Sequence, residues 1–504
     1  MEKSIALSMR GITKRFGSVV ANNHVDLDVY QGEILSILGE NGCGKTTLMN
    51  MIAGIYFPDE GKIYKEGQEV VIRSPKDAFD LRIGMIHQHF KLVNIFSAME
   101  NIELGTPGKK LARKELKQKV LELCEKYGLE TDPEKPVHAM SVSEKQTVEI
   151  LKVLYRGARI LILDEPTAVL TPQETEKLFA ILRQMRKAGC AVIIITHKLN
   201  EVLAISDRVT IFRKGKSYGT VNTPEVDVST LTELMVGHSV TLEIDRPKPQ
   251  NPEEILKLVD LTVQRKDGST ALDDVSFSIR SGEILGVAGI AGSGQKELCE
   301  VVAGLIAPSK GAILYKKENL AGKTPRELID MGISMSFVPE DRLGMGLVGT
   351  MNLSDNMMLR SFRKGKSFFT DRKSPRHLAK QVVKELNVKT PSLDTPVRKL
   401  SGGNVQKVLV GREIASAPKV LLTAYAVRGL DINSSHTIYD LINQQKQKGV
   451  AVIYVGEDLD VLLELCDRIL VLCAGKVSGI VPGRNALKRD LGMMMTKLGG
   501  NNNA

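Results

Sequence analysis

GENGCGKTT, residues 39–47, is the stretch that decides how the rest of the chain is interpreted. It matches the pattern G-x-x-x-x-G-K-[ST] and lies between an apolar run, residues 34–38, and a predicted helix, residues 47–52. Strand, loop and helix in this order are the context that a phosphate-binding loop requires. The glycines let consecutive backbone N–H groups face phosphate oxygens, and the helix N-terminus adds partial positive charge. The alternative is a glycine-rich turn that happens to contain a lysine.

Two side chains of this loop have predicted chemical roles. Lys45 can reach the β- and γ-phosphates of a nucleotide, and the Thr46 hydroxyl can bind Mg²⁺, which prefers oxygen ligands. The other candidate nucleotide-binding residues of the loop are Gly39, Asn41, Gly42, Cys43, Gly44 and Thr47.

Length and composition limit the class of protein. With 504 residues, 42% of them hydrophobic and 25% charged, the chain is expected to form at least two soluble domains. Its apolar runs are far shorter than the roughly 20 residues that span a bilayer, and no signal peptide is visible, so we expect it to stay in the cytoplasm. The net charge of +10 would suit nucleic acid or an anionic membrane, but the basic residues are mostly dispersed. The six cysteines form no C-x-x-C pair, which predicts neither a zinc site nor disulfides.

The chain contains an internal repeat. SGEIL, residues 281–285, repeats QGEIL, residues 31–35, and the loop glycines recur at the same offset of 250 positions. Later landmarks, such as Ser141 and Ser401, lie 260 positions apart. A tandem duplication with about ten residues added to the second copy accounts for both offsets. The predicted domains are residues 1–242 and 255–504, joined by a polar linker with three prolines at residues 243–254.

The order of predicted elements is typical of an α/β fold. Each half opens with short alternating strands, continues through the loop into a helical middle, and then has apolar runs typical of buried parallel strands. We expect a parallel sheet flanked by helices, with an inserted helical subdomain. The predicted strands include residues 4–11, 25–29, 160–163, 191–195, 255–261 and 275–279, and the predicted helices include 47–52, 111–127, 173–187 and 406–415.

A second motif supplies carboxylates. ILILDEP, residues 160–166, is an apolar strand that ends in Asp164 and Glu165. Asp164 can hold the water shell of Mg²⁺, and Glu165 can accept a proton from the water that attacks the γ-phosphate. An ordinary acidic turn is the alternative, which the upstream phosphate loop disfavours.

Three single residues are further candidates. Gln88 suits a residue that senses Mg²⁺ and the attacking water, and His197, after an apolar strand, suits a contact with the γ-phosphate. Phe16 is a candidate for stacking on adenine. An ordinary structural role is the alternative for each of the three.

A third motif is intact only in the second half. LSGGNVQ, residues 400–406, combines the Ser401 hydroxyl with two glycines that permit close backbone approach. The predicted helix that follows, residues 406–415, would add an anion-binding terminus. The first-half counterpart is MSVSEKQ, residues 140–146, which lacks both glycines.

The order of these motifs resembles that of an ATP-binding cassette protein. A Walker A loop, a Q-loop, an LSGGNVQ signature, a Walker B DEP and a histidine switch cover nearly the whole chain. The fused duplicate cassettes resemble the ATPase subunit of bacterial simple-sugar and nucleoside importers. GMIHQHFKLV, residues 84–93, and ILKVLYRGA, residues 150–158, look most similar to nucleoside importers that work with basic-membrane-protein-type lipoprotein receptors.

The resemblance implies a fold, ligands and partners. Each cassette is expected to combine a RecA-like core with an antiparallel β-subdomain and a helical subdomain. The implied ligands are ATP and Mg²⁺. The implied partners are two permease transmembrane subunits and an extracytoplasmic substrate-binding lipoprotein, with no nucleic acid. The chain would then be peripheral to the cell membrane at its cytoplasmic face.

The resemblance also implies two unequal ATP sites, because cassettes of this family pair head to tail. The first site would combine Lys45, Thr46, Gln88, Asp164, Glu165 and His197 with Ser401, Gly402 and Gly403 of the second-half signature. At the second site the corresponding residues are Gln295, Lys296, Ala424, Tyr425 and Glu457. Alanine cannot bind Mg²⁺, and a tyrosine with a pKa near ~10 is a poor base, so we expect no hydrolysis there. Glu340, near the second Q-loop position, would transmit motion rather than catalyse.

Several functions remain open at this point. The first hypothesis is the ATPase of a nucleoside importer, and an importer of simple sugars is the alternative with the same mechanism. A soluble tandem-cassette protein acting on ribosomes or DNA is disfavoured by the short proline-containing linker and the degenerate second site. A protein that only binds nucleotide is disfavoured by the complete first site.

Overall fold

The chain folds into two compact units, Met1–Thr241 and Leu242–Ala504. The computed structural model describes residues 4–17, 19–88, 90–106, 111–237, 244–249, 252–265, 267–331, 333–362 and 370–497. Within the predicted linker, residues 243, 250 and 251 lie outside this described part. The carbonyl oxygen of Asp245 accepts a hydrogen bond from Nδ2 of Asn443, so part of the predicted linker is bound to the second unit.

The first unit contains a four-stranded and a six-stranded sheet. Its strands are β1 (Ile5–Phe16), β2 (Val19–Tyr30), β3 (Ile34–Gly39), β4 (Glu60–Lys65), β5 (Gln68–Val70), β6 (Ile83–Ile86), β7 (Ile160–Asp164), β8 (Ala191–Thr196), β9 (Arg208–Arg213) and β10 (Lys216–Asn222). Its helices are α1 (Lys45–Ile52), α2 (Pro75–Asp80), α3 (Ala98–Glu103), α4 (Arg113–Tyr127), α5 (Val142–Tyr155), α6 (Pro172–Lys187), α7 (Leu199–Ile205) and α8 (Val228–Val236). The sheet β2-β1-β4-β5 is antiparallel, and β10-β9-β3-β8-β7-β6 is parallel except for the β9–β10 pair.

The central strands of the six-stranded sheet are wholly buried. Every residue of β3, β7 and β8 is inaccessible to solvent or nearly so, as expected for parallel strands covered on both faces. Parallel pairing places the carboxyl ends of these strands at one edge, with Leu38 beside Thr196 and Asp164 beside Ile195. The phosphate loop and the DEP motif therefore meet at this edge.

Helices α3, α4 and α5 form the predicted helical subdomain. Leu116, Val120, Cys124 and Tyr127 recur at helical spacing on α4 and are buried in one core with residues of α3 and α5. Gly128 ends α4 in the left-handed conformation, with a φ of 65°.

The second unit repeats the architecture. Its strands are β11 (Glu254–Gln264), β12 (Thr270–Arg280), β13 (Ile284–Ala288), β14 (Lys310–Tyr315), β15 (Glu318–Asn319), β16 (Met335–Val338), β17 (Val420–Ala424), β18 (Ala451–Val455), β19 (Arg468–Cys473) and β20 (Lys476–Pro482). Its helices are α9 (Gln295–Val302), α10 (Pro325–Asp330), α11 (Leu353–Met358), α12 (Lys373–Glu385), α13 (Gly402–Ala415), α14 (Ile432–Gln447), α15 (Leu459–Leu465) and α16 (Lys488–Thr496). The sheets β12-β11-β14-β15 and β16-β17-β18-β13-β19-β20 keep the neighbours of their first-unit counterparts.

Several predicted bounds were wrong. The strands predicted at residues 4–11 and 25–29 are the longer hairpin β1–β2, whose tip is mostly exposed and therefore lacks the apolar alternation that marks a strand. The helix predicted at residues 406–415 begins at Gly402. Glycine is unfavourable within helices, but the first turn tolerates it because its N–H groups have no intrahelical partner. The helices α1, α4 and α6 begin within two residues of their predicted starts.

No helix within the described ranges is both long and apolar enough to cross a bilayer. All six cysteines are free thiols buried inside the two units.

Because thiolates rather than thiols react with disulfide reagents, the native protein should be nearly inert to them. Burial raises the pKa of Cys299 to about 12 and also raises the pKa of Cys43. We expect at most about one of the six thiols to react with an aromatic disulfide reagent at neutral pH within minutes, and all six after unfolding in guanidinium chloride. Rapid reaction of several thiols in the native chain would contradict the packing described here.

Candidate functional site

The phosphate loop of the first unit joins β3 to α1 through left-handed glycines. Gly42 and Gly44 have φ values of 78° and 101°, and Gly44 is the N-cap of α1. A Cβ atom at position 44 would lie 2.2 Å from the carbonyl oxygen of Ala21. Glycine is therefore required at position 44 both by the backbone angle and by the closeness of the β1–β2 hairpin.

Lys45 points back into the loop that carries it. Its side chain is buried, and Nζ donates to the carbonyl oxygens of Gly39 at 2.6 Å and Glu40 at 2.9 Å. These neutral acceptors hold the ammonium group beside the loop interior without cancelling its charge. When a phosphate binds in the loop, the ammonium group of Lys45 can exchange these neutral carbonyl oxygens for negatively charged phosphate oxygens, which form stronger hydrogen bonds.

Asp164 is a buried carboxylate at the end of β7. Burial raises its pKa, whereas a hydrogen bond with Thr46 and the charge of Lys45 lower it. An acid that is desolvated beside a hydroxyl and an ammonium group favours a bound cation, because the cation would stabilise the ionised form. The side chains of Thr46 and Asp164, both predicted to serve Mg²⁺, thus lie within hydrogen-bonding distance of each other.

Glu165 lies where the backbone turns sharply after β7. Its φ is 46°, a left-handed value that is strained for a residue with a side chain, and its N–H donates to the carbonyl oxygen of Ile195 at 2.9 Å. The turn directs the carboxylate toward two other predicted residues. Oε1 lies 3.0 Å from Nδ1 of His197, and Oε2 accepts from Nε2 of Gln88 at 3.2 Å.

The hydrogen bond from His197 is the main reason that the pKa of Glu165 is lowered, and burial opposes it. Glu165 is therefore ionised at neutral pH. An ionised carboxylate held between an amide and an imidazole can orient a water molecule and accept its proton.

The pocket at this edge has a volume of about 390 Å³. Of the predicted residues, Asn41, Gly42, Gly44, Lys45, Thr46, Thr47 and Glu165 line it directly. Gly39 and Cys43 lie behind the loop, since a Cβ atom at Gly39 would be 2.8 Å from the buried Sγ of Cys43. Sequence reasoning missed the other lining residues, which are Val19, Val20, Ala21, Ile195, Lys214 and Gly215.

Lys214 could have been found by comparing the two copies. It precedes the repeated Gly-Lys pair, and the matching residue of the second copy is Ala474. A basic residue kept in only one copy is a signal for an anionic ligand there.

Phe16 is not among the residues that line the pocket. Its ring is 44% exposed and packs edge-on against Tyr56, with ring centroids 5.2 Å apart. The exposure of this ring speaks against a core role.

The second unit keeps the backbone of the site and replaces its chemistry. Tyr425 has a φ of 52°, and its N–H donates to the carbonyl oxygen of Val455 at 2.9 Å, as Glu165 does to Ile195. Burial raises the pKa of Tyr425 to about 12, so this residue is not a base at neutral pH. Gln295 occupies the position of Lys45, and its Nε2 donates to the carbonyl oxygen of Ile290 at 3.1 Å.

The second unit's site has a different arrangement of charges. Arg428 forms ion pairs with Glu340 and, at 3.0 Å, with Glu457. Glu457 corresponds to His197, and Glu340 lies at the second Q-loop position. In the first unit a central carboxylate thus joins Gln88 to His197, whereas in the second a central guanidinium joins two carboxylates.

The two signature motifs differ at the start of their helices. In the first unit Ser141 and Glu144 form a capping box, so the carboxylate of Glu144 covers the N-terminus of α5. In the second unit Ser401 makes no such cap on α13, and its hydroxyl accepts from Nδ2 of Asn404 at 2.8 Å. Gly402 leaves this N-terminus exposed, so it can accept an anion that Glu144 would repel from α5.

The oxygen donors of the first unit fit Mg²⁺. The described residues contain no cluster of three or more His, Cys, Asp or Glu side chains suited to a metal ion. Mg²⁺ instead usually takes one or two protein oxygens and completes its octahedron with phosphate and water, and Thr46 with Asp164 supplies that number. Gln88 lies nearby through its contact with Glu165.

Comparison with known proteins gives full-length matches. A family model described as ABC transporter matches residues 22–168 and 272–423. A nucleoside import ATP-binding protein of Lactococcus lactis subsp. cremoris is 40% identical over 100% of both chains. A guanosine import ATP-binding protein of Bacillus subtilis is 40% identical over 97% of both chains, and a glucose import ATP-binding protein of Haloferax volcanii is 38% identical over 98% of this chain and 96% of its own.

A solved structure with a similar fold is that of an archaeal ribosome recycling factor in complex with a ribosomal stalk protein. It has a TM-score of 0.63 and covers 96% of this chain and 92% of its own. At 17% identity this likeness concerns the fold alone.

His197→Ala should destabilise the protein in a pH-dependent way. The lowered pKa of Glu165 means that its contribution to stability is present above the ordinary glutamate pKa and disappears as the pH falls through the lower folded value. We expect a loss of about 0.5–1 kcal/mol in the free energy of unfolding by urea at neutral pH, since the pair is partly exposed. The difference from the parent chain should vanish in acid.

His197→Asn is the control, because its amide keeps a donor and should restore part of this loss. A destabilisation that is the same at neutral and acidic pH would show that His197 acts by packing and not through Glu165.

Proposed function

The chain belongs to the ABC transporter family, and we propose that it is the ATP-hydrolysing subunit that drives a nucleoside importer. The observation that supports this most directly is the convergence of Lys45, Asp164, Glu165 and His197 on one edge of the first unit's sheet. ATPases of import systems in this family couple nucleotide turnover to transport. Nucleosides or sugars are the cargo classes of the relatives.

The cargo proposal rests on the relatives. The two at 40% identity carry names for nucleoside and guanosine import and match almost the whole chain. Purine nucleosides are therefore our first choice. The second candidate is a simple sugar, because the glucose import relative is only slightly less similar, at 38% identity.

In the proposed mechanism Glu165 is the proton acceptor. Its lowered pKa keeps it ionised at neutral pH, and Gln88 and His197 hold its two oxygens in fixed directions. It can therefore orient a water molecule and take its proton as that water attacks the γ-phosphate. Lys45 leaves the carbonyl oxygens of the loop and places its charge on the phosphates.

Thr46, Asp164 and Gln88 are the residues that would hold Mg²⁺. The ion would neutralise charge on the β- and γ-phosphates when bound. The raised pKa of Asp164 fits this role, because a nearby cation would stabilise the buried carboxylate in its ionised form.

The second unit is proposed to assist without hydrolysing. Its uncapped signature, Ser401, Gly402 and Gly403, is our candidate for a further contact with ATP. Ala424 and Tyr425 offer neither a metal ligand nor a base at neutral pH. We also propose adenine stacking for Phe16.

The proposed partners are two permease transmembrane subunits and an extracytoplasmic substrate-binding lipoprotein. Importers need a path across the membrane, and no described helix of this chain can supply one. We therefore propose that the chain is peripheral and binds the permease at the cytoplasmic face of the cell membrane. A nucleic-acid partner is not part of the proposal.

Equivalent substitutions in the two copies should have unequal effects. Lys45→Ala removes the ammonium group placed to stabilise the transferring phosphoryl group and should lower ATP hydrolysis by ~10²–10³. Gln295→Ala, 250 positions later, removes a neutral amide and should lower it by about threefold at most. The measurement is steady-state ATPase activity of the purified complex.

The converse variant Gln295→Lys is the control, and it should not create a second hydrolytic site because Ala424 and Tyr425 remain. Comparable losses from Lys45→Ala and Gln295→Ala would refute the division into one hydrolytic and one supporting unit.

The cargo can be tested in proteoliposomes that contain the copurified permease and lipoprotein. Purine nucleosides should stimulate ATP hydrolysis by at least about fivefold, the low end of typical coupling between two sites. Pentoses and hexoses should not stimulate it. Glu165→Gln complexes, which keep the shape but lose the proton acceptor, measure the background.

Stimulation by a sugar alone would replace the nucleoside proposal with the second candidate. Copurification with ribosomal RNA and no membrane protein would refute both importer functions.

A further inference from the structure

The second unit contains a small pocket away from the phosphate loop, which we call the linker pocket. It has a volume of about 340 Å³ and is lined by Arg246, Lys248, Asp467, Pro482, Arg484 and Asn485. Arg246 and Lys248 come from the predicted linker, and Arg484 and Asn485 follow β20. All six residues belong to the unit Leu242–Ala504.

Arg246, Lys248 and Arg484 form no ion pair with any carboxylate in the described part of the chain. Nη1 of Arg246 donates to the carbonyl oxygens of Leu463 at 3.0 Å and Cys466 at 2.6 Å. Arg484 donates to the carbonyl oxygen of Arg246 at 3.4 Å. Because carbonyl oxygens are neutral, these hydrogen bonds leave the positive charges uncompensated.

Asp467 is already engaged elsewhere. Its Oδ1 accepts from Nζ of the buried Lys446 at 2.7 Å, and its Oδ2 accepts from the N–H of Ile284 at 2.9 Å. The negative charges of Asp467 and of the exposed Glu464 attract Arg246 from a distance, but neither carboxylate forms a salt bridge with it. The linker pocket therefore remains positive in net charge.

The guanidinium groups of Arg246 and Arg484 repel each other electrostatically. Burial lowers the pKa of Arg246, and the charge of Arg484 lowers it further. An anion between two such groups would remove this repulsion and replace water at a half-buried charge.

Gly483 makes room for Arg246. A Cβ atom at this position would lie 2.1 Å from the carbonyl oxygen of Cys466 and 2.8 Å from Nη1 of Arg246. A side chain at position 483 would therefore displace the guanidinium group of Arg246 from the carbonyl oxygens of Leu463 and Cys466.

The first copy has no basic residue at the two positions that match Arg484 and Asn485. The N–H of Thr223 donates to the carbonyl oxygen of Asp207 as that of Gly483 does to Asp467, which aligns the two turns. Pro224 and Glu225 then correspond to Arg484 and Asn485. The basic character is thus a feature of the second copy and not of the shared fold.

We propose that the linker pocket is a binding site for a phosphate-bearing anion. A planar guanidinium group matches two phosphate oxygens with parallel hydrogen bonds, and Lys248 adds a third cation. The volume is at the low end for small-molecule sites, which fits a phosphomonoester with a small organic group. The bound anion would tie residues 246–248 to residues 483–485 and stiffen the chain that leads into the second unit.

Soluble phosphomonoesters and the headgroups of anionic phospholipids share this chemistry. The first arm of the test uses glycerol 3-phosphate in titration calorimetry with the full chain, in a Lys45→Ala background that weakens phosphate binding at the first-unit loop. Arg484→Gln should weaken the affinity at least about tenfold, because it removes one of two guanidinium groups. Lys310→Gln/Lys317→Gln, which removes two exposed lysines from the same unit, should leave the affinity unchanged.

The second arm uses sedimentation with phosphatidylcholine vesicles that contain phosphatidylglycerol. Binding to these vesicles that Arg484→Gln abolishes identifies a lipid headgroup as the source of the phosphate. Binding of glycerol 3-phosphate without vesicle binding identifies a soluble ligand. Either result supports the site and is independent of the cargo and of ATP hydrolysis.

Two variants guard against a folding artefact. Arg484→Gln leaves the contacts of Arg246 with Leu463 and Cys466 in place, and thermal unfolding without ligand verifies its stability. Gly483→Thr introduces the first-copy residue, displaces Arg246 and should also weaken binding at least about tenfold. Because its Cβ atom would also approach the carbonyl oxygen of Cys466, the same thermal unfolding measurement verifies its stability. Unchanged affinity in both variants, or an equal loss in the lysine control, would overturn the proposal, as would no saturable binding by the parent chain.

Discussion

Parallel pairing of β3, β8 and β7 is the constraint on which the first unit's site depends. The pairing needs strands that are apolar on both faces, and it aligns their carboxyl ends at one edge. The phosphate loop leaves β3 there, Asp164 and Glu165 end β7, and His197 follows β8. Chemistry at this edge is therefore a consequence of how the buried strands pair.

The second unit shows that the same framework persists when the side chains at this edge differ. Tyr425 retains the left-handed backbone of Glu165, although its side chain is a buried phenol. The left-handed conformation of Tyr425 is held by the hydrogen bond from its N–H to β18 and by the packed core around it. It does not depend on the chemistry of the side chain. In the second unit the guanidinium group of Arg428 lies between the carboxylates of Glu340 and Glu457 and forms an ion pair with each of them.

Divergence of the copies has given the second unit features of its own. Its signature helix begins at glycines without a carboxylate cap, whereas Glu144 covers the matching helix of the first unit. A glycine at position 483 lets a linker arginine reach the body of the unit. In both places the second unit has a glycine, Gly402 or Gly483, where the first unit has a residue with a larger side chain, Val142 or Thr223. Groups that attract anions are therefore less covered in the second unit.

The sequence by itself determined the order of motifs, the duplication, the α/β class and the copy that carries each candidate catalytic side chain. These are properties of spacing and residue type, which local propensity and the phosphate loop express directly. The predicted length of the β1–β2 hairpin and the predicted start of α13 were wrong, because exposed strand tips and glycines give weak local signals.

Only the tertiary structure decided which groups meet. Gln88 lies 77 positions before Glu165, and both Arg428 and Arg246 contact partners that no sequence pattern links to them. Such contacts depend on strand register and on the space that a neighbouring residue leaves, and neither quantity is local in sequence.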